Sequence, residues 1–207
     1  MTDTLLIASL KLQKFAILVC CYIFALGAAL PHQTSRLVVA QPAHPHEYIL
    51  KSDFKISATP VTREYNFVIT ETTAALDGFS KPVLAINNQI PGPLIEANEG
   101  DCLEIKVTNH MTVGVTLHWH GLYQNGTNWE DGVTGVTQCP IPPHGGHYIY
   151  KFKLTGQFGT FWYHSHHQNL MADGISGPLI IHSLSDPLKR SVDFDEDVVL
   201  MLADWYH

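Results

Sequence analysis

From Arg63 onward the chain alternates apolar and polar positions with period two. Tyr65, Phe67 and Ile69 alternate with Glu64 and Asn66, and Leu103, Ile105 and Val107 alternate with Glu104, Lys106 and Thr108. Successive side chains of an extended strand point to opposite faces, so this spacing predicts strands with one face buried and the other in water. Val113 to His120, His147 to Leu154, Thr160 to His166, Pro178 to His182 and Asp197 to Ala203 read as further strands. Turn-forming clusters such as Pro91-Gly92-Pro93 and Pro142-Pro143-His144-Gly145-Gly146 separate them. No segment sustains a helical repeat. Many short strands between turn signals describe an all-β fold, an antiparallel sandwich or barrel.

Both ends of the chain depart from this pattern. Lys11 and Lys14 flank an apolar run from Phe15 to Leu30 that ends in the small residues Gly27-Ala28-Ala29. A membrane-spanning helix needs about 20 apolar residues, so residues 1–29 read as a secretory signal cut near Ala29, and as a membrane anchor only if left uncut. Residues 30–62 are an extended Pro- and His-rich lead-in, and residues 63–183 carry the sandwich. In residues 184–207 the acidic stretch Asp193-Phe194-Asp195-Glu196-Asp197 leads into an apolar strand, Val198 to Leu202, with no partner after it. An unpaired apolar edge is a hazard for a folded domain, so this segment predicts a linker, the opening of a second domain and a truncated chain.

Of 207 residues, 45% are apolar, enough for one sizeable core. Twelve Lys and Arg face 19 Asp and Glu, a net charge of −7 that leaves no surplus of positive charge for nucleic acid. With Cys20 and Cys21 inside the leader, Cys102 and Cys139 remain, to bridge each other or to find partners elsewhere. Asn125-Gly126-Thr127 is a glycosylation sequon, consistent with export to the extracellular space.

Histidine is the outlying residue, at 13 copies. His118-Trp119-His120 lies on a predicted strand, where residues two apart share a face and stand about 6.6 Å apart. His164-Ser165-His166 repeats the arrangement, so the two strands together bring four imidazoles into one space. One such motif is ordinarily a pair of solvated side chains; two copies, each beside aromatic residues, indicate a metal site. Neutral imidazoles suit Zn, Cu, Fe or Ni rather than Ca or Mg, and the spacing permits one shared ion or several neighbouring ones. His32, His44 and His46 of the lead-in receive no role, His110 and His182 read as surface or capping residues, and His167 points away from His166. Cys139 with His144 and His147 approaches a blue-copper ligand set, but the next methionine is Met171 and Pro140 to Pro143 form a rigid turn, so the cysteine reads as structural. Trp119, Trp162 and Tyr163 read as core fillers. Asp131, before Gly132, is a turn residue or a carboxylate able to orient imidazoles and pass protons.

The run from His118 through Trp129-Glu130-Asp131-Gly132, then Thr137-Gln138-Cys139-Pro140-Ile141, then Gly159-Thr160-Phe161-Trp162-Tyr163-His164-Ser165-His166, resembles the first domain of multicopper oxidases, fungal laccases in particular. The similarity extends from about Arg63 to His182 and includes Ala85 to Pro93. It implies a cupredoxin-like Greek-key β-sandwich, the first of several, in an enzyme that oxidises phenols, aromatic amines or metal ions and reduces dioxygen to water. By the same resemblance His118 matches a type 2 copper ligand, His120, His164 and His166 match type 3 ligands, and Asp131 matches an acid that delivers protons. Cys139 matches a cysteine paired with the last domain. The family uses four histidine pairs and a type 1 copper site, and this chain carries two pairs and no type 1 ligands. The resemblance therefore implies half a trinuclear cluster, missing second and third domains, and a chain inactive by itself. A secreted copper-binding module without turnover, a ferroxidase-type fragment and a zinc hydrolase are the competing readings; the last lacks a Glu base beside the histidines.

Overall fold

The alternation becomes a two-layer sandwich because each half-apolar strand has one face to bury. The computed structural model describes residues 6–11, 49–50, 53–205 and 207. Its strands are β1 (Leu6–Lys11), β2 (Thr62–Ala74), β3 (Lys81–Ile86), β4 (Ile95–Asn98), β5 (Cys102–Asn109), β6 (Leu117–His120), β7 (Gly146–Lys153), β8 (Gly159–Ser165), β9 (Ser176–His182) and β10 (Asp197–Leu202). One sheet has the order β3-β2-β5-β7 and the other β4-β9-β8-β6. On β5, Leu103, Ile105 and Val107 are fully buried while Lys106 is exposed.

The all-β expectation holds, but the sandwich is not purely antiparallel. β2 pairs in parallel with β5, and β4 in parallel with β9. Each of these partners is reached by crossing between sheets rather than by a hairpin, a connection that local turn signals do not reveal. The expected strand from Val113 starts only at Leu117, because Val115 instead bridges to Ile141. β10 lies antiparallel to β1, a strand within the segment read as the leader. Apart from β1, the proposed leader lies outside the described residues.

Aromatic rings join the layers. Trp119 of β6 meets Tyr150 edge-on at 5.2 Å and Phe152 at 5.2 Å, and Phe67 of β2 meets Tyr163 of β8 at 5.2 Å. A buried aromatic side chain removes about 150–250 Å² from water, a transfer contribution of roughly 4–6 kcal/mol each. Close packing also demands small residues. Gly177, opposite Tyr163 across the β8–β9 ladder, leaves the space that the phenol ring fills, and a methyl there would run into it.

The short strand β6 forms one edge of its sheet, and the chain returns to cover it. A short 3-10 turn, Asn128–Glu130, packs on β7 of the opposite sheet, and Gly132, at φ +77°, lies against the Leu117 carbonyl. The Trp119 indole N–H donates to the Glu130 carbonyl at 2.9 Å. The loop following the first histidine motif is thereby fixed to the strand that bears it.

Candidate metal centre

β6 and β8 run antiparallel with His118 opposite His164 and His120 opposite Trp162. Trp119 and Tyr163, the alternate residues, point into the core and are fully buried. The histidines therefore stand together on the outer face. The imidazole of His118 has its centroid 5.6 Å from that of His120, 5.3 Å from His164 and 5.4 Å from His166. Ligand atoms of His118, His120 and His164 all lie within 4.8 Å of one another. His166, one residue past the end of β8, flanks this group, 6.1 Å from His164 between centroids. The four predicted rings share one side of the sheet, three of them in a tight group and the fourth beside it.

Hydrogen bonds settle which nitrogens face the centre. His118 Nδ1–H donates to the Asp131 carbonyl at 2.7 Å, leaving Nε2 as the nitrogen that can serve a metal. The Asp131 carboxylate is also close, with Oδ1 3.3 Å from the same Nδ1. His164 Nδ1–H donates to the Ser165 carbonyl at 2.9 Å, so its Nε2 must accept, and the hydrogen between it and His120 Nδ1, 3.1 Å away, belongs to His120. Carbonyl acceptors on the far ring nitrogen fix the tautomer of a metal-ligating histidine, and two of these rings have one.

Two of the rings are biased toward the neutral form. Burial, reinforced by the neighbouring His118, His120 and His166, pushes His164 down to about 4. Burial followed by the His118 and His166 charges also lowers His120. Neutral imidazole is the ligating form, so these rings offer lone pairs without first losing a proton to solvent. The 3.1 Å gap between His120 Nδ1 and His164 Nε2 fits two ligands of one ion at metal–nitrogen distances of about 2.0–2.1 Å. Seating an ion there requires only that His120 move its proton to Nε2.

Other expectations are revised. Trp162 is not a core filler: it shares the outer face and stacks on His120 at 4.8 Å and on His164 at 4.1 Å. His182 is not a surface residue: its Nε2 is 2.8 Å from Glu96 Oε1 and its ring lies 4.7 Å from Phe54, tying the lead-in to β9. Cys102 and Cys139 carry free thiols rather than a bridge to each other. The Ser165 carbonyl escaped sequence reasoning because every residue has one. Trp162 was legible, since period two puts it on the face of His164.

Comparison with known proteins agrees with this geometry. Residues 68–186 match the family model described as multicopper oxidase. Laccase-2 of Cryptococcus neoformans var. grubii is 52% identical over 163 residues, spanning 79% of this chain and 27% of that protein. A laccase of Trametes hirsuta is 42% identical, over 69% of this chain and 28% of its own length. Among solved structures, the laccase from Botrytis aclada superposes with a TM-score of 0.59 at 46% identity, covering 62% of this chain and 24% of that one. Fet3p, described as a multicopper oxidase that functions in iron import, gives 0.59 at 41% identity over 62% and 24%. The chain belongs to the multicopper oxidase family. Its fold is cupredoxin-like, copper is the metal the family implies, and the imidazole set fits it. The chain spans about a quarter of the length of these relatives.

Proposed function

We propose that this chain is the first copper-binding domain of a secreted, laccase-type oxidase, contributing half of a trinuclear copper centre. The observation that carries this reading is the convergence of His118, His120 and His164 on one face, with two of their far nitrogens held by backbone carbonyls. His120 and His164 would share one type 3 copper, His166 would serve the second, and His118 the type 2 ion. Copper supplies one-electron chemistry, by which a phenolic substrate is oxidised and dioxygen reduced to water in the whole enzyme. Neutral nitrogen ligands support both Cu(I) and Cu(II), as such cycling needs.

The chain's own residues position these ligands and handle protons. Asp131 holds His118 through its carbonyl and sets a carboxylate oxygen 3.3 Å from the same nitrogen, where it can take up and pass protons that dioxygen reduction consumes. The match over residues 68–186 supports residues 63–183 as the domain, and residues 184–207 would lead into further cupredoxin domains. Residues 1–29 would direct export and leave at Ala29. Among solved structures over the same share of the chain, the Botrytis aclada laccase at 46% identity stands above Fet3p at 41%, which favours a laccase-type reducing substrate over an iron role.

Copper titration of the purified chain tests the reading. Stoichiometric binding that is abolished in the His120→Ala/His164→Ala double variant is expected, without intense blue colour and with little phenol oxidation. Equal binding by the double variant, or zinc in place of copper after mild purification, would overturn it.

A further inference from the structure

The two imidazoles that approach each other most closely lie over the same side chain. Trp162 sits directly across the β6–β8 ladder from His120 and two residues before His164 on the same face. Its plane is inclined by 25° to His120 and by 29° to His164, both stacked, whereas the two imidazoles are tilted by 44° to each other. Centroid separations of 4.8, 4.1 and 5.3 Å make a triangle, so the imidazoles lie side by side over one face of the indole instead of sandwiching it.

This arrangement addresses a weakness of the site. His120 is exposed, is the last residue of a four-residue edge strand, and bonds through Nδ1 to another ligand rather than to a carbonyl anchor. His118 and His164 have such anchors; His120 has the stack. A flat ring underneath both imidazoles restricts their rotation about the Cβ–Cγ bonds while leaving Nδ1 of one and Nε2 of the other directed at the same point. An aliphatic side chain of similar bulk would fill the volume without setting a ring plane.

We propose that Trp162 is a positioning residue of the metal centre, a stacking platform that holds His120 and His164 in register for one copper ion. The inference rests on the copper reading of the site and adds to it a residue that donates no ligand atom. Partners that orient metal ligands typically change affinity by 10–100-fold when removed.

The test is a titration of the full chain with Cu(I) against a chromophoric chelator, for wild type, Trp162→Phe and Trp162→Leu. Thermal unfolding of each metal-free protein is measured alongside. The Phe variant keeps a planar face and is expected within about threefold of wild type, while the Leu variant loses about 10–100-fold in affinity beyond anything its metal-free stability explains. Leu binding as tightly as wild type, or Phe failing as badly as Leu, overturns the proposal. If the Leu variant does not fold, Trp162→Tyr joins Phe in its place: both must retain binding, and a tenfold or greater loss in both overturns the proposal. Wild type that binds no copper removes the copper reading itself, an outcome distinct from a wild type that binds and variants that match it.

Discussion

Acidification of the metal-free protein should weaken it through one imidazole. His164 is buried, its value pushed down to about 4 by burial and by its histidine neighbours, against an ordinary value of 6.5. Between those two values the unfolded chain takes up a proton that the folded chain refuses. The stability tied to this ring is thus complete above about pH 6.5 and is lost as pH falls toward 4. At pH 4.5 the linkage amounts to roughly 2–3 kcal/mol, a large fraction of the stability of an ordinary domain. Urea unfolding of wild type and His164→Asn at pH 7 and pH 4.5 isolates the effect, because other carboxylates and histidines titrate in both proteins. The stability gap between wild type and variant should shift by about that amount against wild type on acidification. A gap independent of pH would refute the reasoning, since it would mean the imidazole titrates alike in the folded and unfolded chain.

Three further outcomes follow from particular contacts. Gly132→Ala places a methyl against the Leu117 carbonyl at a positive φ, costing at least about 1–2 kcal/mol, and should weaken copper binding by displacing the Asp131 carbonyl from His118; thermal unfolding and metal titration check both. Burial raises the Glu130 carboxyl despite hydrogen bonds from Lys151 N–H and Tyr148, so its contribution is full in acid and declines as pH rises through the raised value. Glu130→Gln should therefore gain in melting temperature relative to wild type as pH rises from 4 toward neutrality, and a difference between the two proteins that does not change with pH would count against the buried acid. Asp101, fully buried, accepts from Val61 N, Arg63 Nε and Asn98 N at 2.8–2.9 Å, and against the desolvation of burial these donors hold its carboxyl below the usual range. Asp101→Asn should cost about 1.5–3 kcal/mol at neutral pH by denaturant titration, with the difference from wild type shrinking only in strong acid.

The strand positions were legible wherever one face is buried and the other wet, as in β5, where Leu103, Ile105 and Val107 alternate with polar residues. β3 and β4 were not predicted as strands. Their few residues show little alternation, Ala97 and Asn98 both being buried; β3 pairs with the preceding β2 across the 75–80 turn, and β4 is set by its distant partner β9. The histidine site was legible for the same reason as β5: period two forces His118 and His120 onto one face and His164 onto its own. What periodicity does not specify is register, and the register His118 to His164 is what brings the rings together. The anchors at the Asp131 and Ser165 carbonyls depend on backbone geometry and leave no mark in side-chain identity. His182 misled because its partners, Glu96 and Phe54, are remote in sequence.

A crystal of the chain grown with copper, with diffraction recorded on both sides of the copper absorption edge, probes the centre most directly. An anomalous peak between His120 Nδ1 and His164 Nε2 is the predicted result. Copper bound instead at Cys139 or at the lead-in histidines, with the β6–β8 face empty, would contradict the assignment.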